Sequence, residues 1–218
     1  MTKKEEAQLK REKKLEEERA RVEALMFYEK QYASYGNICG VDEVGRGPLA
    51  GPVVAGAVIL PPDCRILYIN DSKKLSAKRR EELYDEILDK AIAAEIGIVS
   101  WERIDEINIL QATYEAMRQA ISKLKVQPDC LLNDAVVIPN LTLLQVPIIK
   151  GDAKSASIAA ASIIAKVYRD RLMDEYAEQY PEYGFDSNKG YGTAAHIEAI
   201  KKYGPCPIHR RSFISKWI

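Results

Sequence analysis

The sequence predicts an α/β fold, a central mixed sheet flanked by helices. Three observations predict it. Two apolar segments, Ile38 to Val44 and Val53 to Leu60, lie close together, separated by a Gly-Pro-rich turn, and read as strands. Helical and strand patterns then alternate toward the C-terminus, the arrangement of layered α/β domains. Ser155 to about Tyr180 is a long helix, very rich in Ala and Ile in its first half. A helix that is small and apolar nearly all round belongs against a sheet.

Taken in order, residues from about Lys3 to Lys30 are dense in Lys, Arg and Glu and lack Gly and Pro. Pairs such as Glu6 with Lys10 and Glu17 with Arg21 stand at helical i, i+4 spacing. An exposed helix that docks by Val22, Leu25, Met26 and Phe27 is expected; a frayed arm is the alternative. The character changes at Gly36. After the two strands, a loop with NDSKKLS leads to a helix from about Ala77 to Ala94 with Ser76 as N-cap. Ile96 to Ser100 reads as a short strand. Glu102 to Leu124 reads as a helix with Ile104, Ile107, Leu110, Tyr114, Met117 and Ile121 on its apolar face. Pro128 interrupts, Cys130 to Asn133 and Leu141 to Ile149 are strands, and Ser155 opens the Ala-rich helix. Gly184 to Gly192 is a loop, Thr193 caps a helix to about Lys202, and a basic tail follows. The expected division is a charged helical arm, 1–35, and a main α/β domain, 36–218, whose segment from about 181 is helical.

The 218 residues are 47% hydrophobic and 29% charged, enough for a sizeable core. Net charge is zero, with 32 basic and 32 acidic side chains, so any nucleic-acid contact must rest on local positive charge. Cys39, Cys64, Cys130 and Cys206 form no C-x-x-C pair, which disfavours zinc and points to a reducing compartment. The start has no apolar signal core and no run is long enough for a membrane helix, so a cytoplasmic protein is expected.

Four carboxylates are the candidate chemistry. Asp42 and Glu43 are adjacent at the end of an apolar strand, where successive side chains point to opposite faces. Both reach one cluster only if the strand ends or distorts there. A divalent cation would offset the cost of burying them, and turn amides could hold them equally well. Asp134 ends the apolar CLLN stretch, and Asp152 lies in KGDAKS before the Ala-rich helix. Each could also be a turn former or a helix cap. Oxygen-only ligands suit Mg²⁺ or Mn²⁺. Directly after the pair, Gly45-Arg46-Gly47 offers close backbone approach and a guanidinium suited to phosphate. A backbone that near can hydrogen-bond a ribose hydroxyl. Basic residues interleaved with aromatics near the C-terminus, together with Lys73, fit a nucleic-acid backbone, though a solvated basic tail reads as well. Lys73, Lys189 and Arg210 are singled out as substrate-binding; His196, on an amphipathic helix, reads as structural.

Together the blocks GVDEVGRGPLAGPVV, NDSKKLS, IDEINILQAT, KGDAKSASIAAASIIAKVYRD and KGYGTAAH with GPCPIHRRSF resemble the ribonuclease HII family, from about Asn37 to Phe213. The resemblance implies an RNase H-type fold and a cytoplasmic enzyme. It would cut the RNA strand of RNA–DNA hybrids and nick duplex DNA at embedded ribonucleotides, leaving 5′-phosphate and 3′-hydroxyl ends. It matches Asp42, Glu43, Asp134 and Asp152 to the family's acids, Gly45, Arg46 and Gly47 to its ribonucleotide-recognising loop, and Tyr191 to the tyrosine that packs on the sugar. Asn133 departs from it, standing where the family usually has an apolar residue. The expected chemistry is hydrolysis with two Mg²⁺ or Mn²⁺ ions about 4 Å apart, by a monomer. Another nuclease of the same fold, resolvase- or integrase-like, and a non-catalytic hybrid-binding module are the rival readings.

Overall fold

The structure, a computed structural model, describes residues 2–218. Its elements are α1 (Lys3–Leu25), α2 (Phe27–Tyr32), β1 (Ile38–Val44), β2 (Val53–Ile59), α3 (Ala77–Lys90), β3 (Ala93–Val99), α4 (Trp101–Lys123), β4 (Cys130–Asp134), β5 (Leu144–Ile148), α5 (Ala156–Gln179), α6 (Phe185–Asn188), α7 (Ala194–Tyr203) and α8 (Arg211–Ile214). The sheet order is β3-β2-β1-β4-β5. β3, β2 and β1 pair antiparallel, while β1, β4 and β5 run parallel. This is the mixed sheet the sequence predicts.

The sheet is covered on both faces, so β1 and β2 read as continuous apolar runs rather than alternating ones. On one face Cys39, Val41, Val53, Ala55 and Ala57 pack under α4 through Ala112, Ala116, Met117 and Ala120. On the other, Val58 packs with Ala156, Ala160, Ile163 and Ile164 of α5 and with Leu83 and Ile87 of α3. The approach of α5 is close enough to exclude a side chain at Gly40, where a Cβ would lie 2.1 Å from the Ser157 carbonyl carbon. A third cluster, around Leu49, Met173, Phe185, Ile200 and Ile208, fastens the C-terminal helices to the β1–β2 turn.

The charged arm is helical and opens with a capping box. Glu5 N–H donates to Thr2 Oγ1 at 3.3 Å, and Thr2 N–H donates to the Glu5 carboxylate at 2.7 Å. Val22, Leu25 and Met26 join the cluster under α5 as expected. Phe27 does not: the helix breaks at Met26, and Phe27 is 60% exposed on the restarted α2. Nor does Arg21 pair with Glu17. Its guanidinium donates to Glu18 and to the Ile69 carbonyl, which holds it on that side. Buried Glu29 on α2 accepts from Ser155 Oγ at 2.6 Å and Ser157 N–H at 2.8 Å, capping α5 from outside.

Ser76 and Thr193 cap α3 and α7 as the sequence predicts, and Ser155, the expected start of the Ala-rich helix, is its N-cap. Two helical expectations needed correction. The helix expected to reach Ala94 ends at Lys90, because Ala93 and Ala94 pair with Ile59 and Val58 in the sheet. Seven consecutive pairings override the helical preference of alanine. In α4, Asn108 leaves helical geometry (φ 67°, ψ 163°), and its Oδ1 accepts from the N–H groups of Leu110 and Gln111, restarting the helix. The apolar stripe shifts phase there. Leu110 turns outward, and Ala112, Ala116 and Ala120 face the sheet beside Met117 and Ile121. The strand expected over Leu141 to Ile149 is shorter, Leu144–Ile148, and the loop expected over Gly184 to Gly192 contains the single turn α6.

Gly40→Ala tests the sheet–helix approach. The added methyl has no space, and overpacking of this kind costs about 1–3 kcal/mol. A urea midpoint unchanged from the parent would show that α5 can yield.

Candidate active site

β1 and β4 run side by side from Ile38 opposite Cys130 to Val41 opposite Asn133, and there their pairing ends. β1 continues against β2 through Val44. Asp42, Glu43 and Asp134 therefore lie where two parallel strands lose each other, at their carboxyl ends, the usual place for a site in such sheets.

The strand neither ends nor distorts at Asp42. Asp42, Glu43 and Val44 face Gly56, Ala55 and Val54 in unbroken register, so the two carboxylates leave opposite faces. Asp42 is buried on the α5 face, where Ser162 favours its charged form. Half-buried Glu43 meets Arg46 Nη1 at 3.3 Å. Asp134, also half-buried, accepts from Gly151 N–H at 2.7 Å. That bond ties β4 to the short turn Gly151–Ala153 carrying buried Asp152, a turn entered through left-handed Lys150 (φ 59°).

Asp42, Glu43 and Asp152 are each shifted by neighbouring carboxylates. Burial, then the charges of Glu43 and Asp134, holds the Asp42 carboxyl well above the usual carboxylate range. Burial also raises Glu43, against the pull of Arg46, and raises Asp152 with help from Asp71 and Asp134. Lys73 faces this group. Partial burial works against its charge, but Asp42, Asp71, Asp152 and Asp134 together push its ammonium upward. Asp71 is the residue that sequence reasoning passed over. It caps the Ser72–Lys74 turn through Lys73 N–H at 2.9 Å, and its charge raises Asp152. Its signal was its place beside Lys73 in NDSKKLS. Ser72 Oγ lies 2.9 Å from Ser162 Oγ, which fastens this turn beside Asp42.

Repulsion among buried oxygen donors is what a hard divalent cation would relieve, so the donor set fits Mg²⁺ or Mn²⁺. The acids are nevertheless spread wider than a coordination shell. Among the described residues no three His, Cys, Asp or Glu side chains stand ready to hold a metal ion. The opposite-face geometry of Asp42 and Glu43 accounts for part of that spread.

Beside the acids, Gly45 takes φ 89° and is pressed against Arg169; a Cβ there would lie 2.3 Å from Arg169 Nε. Arg46 and Gly47 are exposed. A Cβ on Gly47 would meet the Tyr191 ring at 3.7 Å, so the tyrosine flanks the turn. Arg210, expected to touch substrate, is fully buried, and its guanidinium is spent on the carbonyls of Gly45, Arg46 and Gly51. Lys189 turns its ammonium to Asp174 and gives its carbonyl to Arg169. Asn133, fully buried, donates to Gln145 at 2.9 Å, and Gln145 in turn bonds both backbone groups of Ile138.

Tyr191 is held from behind by two buried histidines. Its carbonyl can only accept, so His196 Nδ1 carries the hydrogen at 2.8 Å. His196 Nε2 then accepts from His209 Nε2 at 3.0 Å, and His209 Nδ1 accepts from Cys206 N–H at 3.0 Å. Every role is filled with both rings neutral. Burial, with His196 alongside, pushes His209 down to about 4, and burial lowers His196. The structural role expected for His196 is what the fold uses.

The sequence matches the family model described as Ribonuclease HII over residues 39–216. It is 69% identical over 204 residues to the Ribonuclease HII of Lachnoclostridium phytofermentans, covering 94% of this chain and 80% of that one. The fold is similar to the crystal structure of ribonuclease H2 from Pyrococcus horikoshii OT3, with TM-score 0.70 and 31% identity over 83% of this chain and 96% of that one. A more distant likeness, TM-score 0.56 at 15% identity, covering 77% of this chain and 63% of the other, is to the structure of Bst-RNase HIII in complex with Mn²⁺ and concerns the fold alone.

Two predictions follow the geometry. Gly45→Ala should lower the thermal midpoint well beyond Gly47→Ala, since only the first meets both a left-handed φ and an occupied space; equal midpoints would refute the contrast. For His209, the folded state resists protonation that the unfolded chain accepts near pH 6.5. Its contribution is complete above pH 6.5 and lost as pH falls toward 4, on the order of 3 kcal/mol. His209→Gln should flatten that part of the stability–pH curve measured by urea unfolding.

Proposed function

The chain belongs to the ribonuclease HII family, and from that premise we propose that it cuts the RNA strand of RNA–DNA hybrids and nicks duplex DNA on the 5′ side of an embedded ribonucleotide. The observation that carries the reading is one juxtaposition. Asp42, Glu43, Asp134 and Asp152 surround the opening between β1 and β4, and the Gly45–Gly47 turn with Tyr191 stands directly beside it.

In this reading Asp42 and Asp134 are the principal metal-holding residues and Asp152 completes the set; Glu43, expected among the ligands, leaves the opposite face of the unbroken strand and acts on the set through its charge and its pairing with Arg46. A pair of bound Mg²⁺ or Mn²⁺ ions would supply Lewis-acid activation of water and charge neutralisation at the scissile phosphate. The chain's own groups do the rest. Arg46, exposed and already extended along Glu43, meets a backbone phosphate. The backbone of residues 45–47 reads the 2′-hydroxyl, which only a ribonucleotide carries. The Tyr191 ring packs on the adjoining sugar. Lys73 offsets part of the carboxylate charge and so lets a phosphate approach four acids. Products carry 5′-phosphate and 3′-hydroxyl ends, because water attacks phosphorus and the 3′ oxygen leaves. The enzyme acts as a monomer in the cytoplasm; no helix among the described residues is long and apolar enough to cross a membrane.

The deciding experiment is cleavage of one end-labelled duplex carrying a single ribonucleotide, with Mg²⁺, with Mn²⁺ and with chelator. Cutting 5′ of the ribonucleotide only with metal is expected; equal cutting of the all-DNA duplex would overturn the reading. Asp134→Asn should bind the duplex but cleave more than about 100-fold slower, exceeding the loss typical of an outer partner of a metal ligand. Tyr191→Ala should slow nicking at a single ribonucleotide by about 10-fold, a loss of about 1.4 kcal/mol of transition-state stabilisation, with little change in thermal midpoint. An unchanged nicking rate removes Tyr191 from the site.

A further inference from the structure

Two arginines, Arg169 on α5 and Arg210 just before α8, are completely buried, and neither forms a salt bridge among the described residues. Buried cations without a carboxylate are costly, so each needs its donors satisfied. Arg210 donates through Nε to Gly51 O at 2.9 Å, through Nη1 to Arg46 O at 2.9 Å, and through Nη2 to Gly45 O at 2.5 Å and Gly51 O at 2.8 Å. Arg169 donates through Nε to Pro52 O at 3.0 Å, through Nη1 to Lys189 O at 2.9 Å, and through Nη2 to Ala50 O at 3.2 Å. All these acceptors belong either to the segment 45–52 or to the loop that carries Tyr191. Burial lowers Arg210 to about 9 and Arg169 to about 10, which leaves both charged at neutral pH.

The consequence lies in the peptide plane. In a trans peptide the C=O of one residue and the N–H of the next point in opposite directions. The Gly45 and Arg46 carbonyls are drawn inward to Arg210, so the N–H groups of Arg46 and Gly47 are driven outward. Arg46 and Gly47 are exposed, and among the described residues neither amide donates to another backbone group outside the regular elements. Beside them stands the Tyr191 ring.

We propose that Arg169 and Arg210 are the positioning residues for ribonucleotide selectivity: by holding the 45–52 carbonyls inward they fix the Arg46 and Gly47 amides as an outward pair of donors for the ribose 2′-hydroxyl oxygen. The inference rests on the function proposed above. A deoxyribose leaves those donors dry and unpaired, and sites built to bond a hydroxyl reject its absence strongly. The two uncompensated guanidinium charges also add positive potential beneath the turn, where a phosphate passes.

The test uses Arg210→Lys and Arg169→Lys in the full chain, each keeping the charge but losing the fork. For each, kcat and KM are measured on a duplex with one ribonucleotide and on a continuous RNA–DNA hybrid, together with the thermal midpoint. In the hybrid every neighbouring sugar carries a hydroxyl, so a displaced amide pair still finds one. The expected result is a fall in kcat of about 10-fold on the single ribonucleotide, the worth of one hydrogen bond, with a smaller fall on the hybrid. An equal fall on both, or none on either, overturns the proposal. If the parent itself does not separate the single-ribonucleotide duplex from all-DNA, the proposed function fails first and takes this inference with it. Should the variants not fold, amide exchange of the parent decides. The Arg46 and Gly47 amides should gain protection from the ribonucleotide duplex in chelator and not from the all-DNA duplex; equal protection by both overturns the proposal.

Discussion

The parallel pairing of β1 with β4 stops after Val41 and Asn133, while β1 stays bonded to β2 for three more residues. That one mismatch in length places the site. It leaves Asp42 and Glu43 on a strand supported from one side only, and it sets Asp134 at the lip of the gap. The Gly151 N–H then anchors to Asp134 and brings Asp152 to the same opening. Close packing of α5 on Gly40 fixes this edge against the helix, and the Ser72–Ser162 hydrogen bond ties the Asp71 turn to α5. The acids thus stand on strand ends and the Asp152 turn, with the Asp71–Lys73 and Gly45–Gly47 turns and the Tyr191 loop beside them.

Charge is sorted around that opening. Carboxylates crowd one side, with Lys73 among them, and two buried guanidiniums lie beneath the neighbouring turn. A zero net charge therefore hides a strongly polarised centre. The arginines are saturated by carbonyls rather than acids, which preserves their positive potential while meeting their hydrogen-bonding needs. On the far side of Tyr191 the arrangement is uncharged: two neutral histidines, Cys206 and the rings of Tyr183 and Phe185 form a packed support. The same C-terminal segment supplies His209 to that support and Arg210 to the turn. The Gly45–Gly47 turn and Tyr191, distant in sequence, are thereby held through adjacent residues.

The arm is joined to this centre as well. Glu29 caps α5 at Ser155 and Ser157, three and five residues after Asp152, and Val22, Leu25 and Met26 share the cluster beneath α5. Its outer face stays charged and exposed, which is why it reads as a solvated helix while its last turns belong to the core.

Much of the candidate site is legible in the sequence. Asp42, Glu43, Asp134 and Asp152 each end or adjoin an apolar run, and Ser76, Ser155 and Thr193 announce helix starts, because caps and strand ends are local chemistry. What stayed hidden was set by distant partners. Ala93 and Ala94 are strand because β2 offers them seven paired positions, and Leu110 is exposed because Asn108 resets the helix phase. Asp71 gains its meaning from Asp152, far along the chain. Arg210 reads in sequence as a solvent-facing phosphate binder, yet the tertiary structure buries it. Its partners are the carbonyls of a turn more than 150 residues away, and only folding brings them within reach of one guanidinium. The sequence by itself determined the element order, the acids and the turn chemistry. The tertiary structure alone decided which cations meet solvent and which face the backbone, since burial depends on the whole chain and not on any window of it.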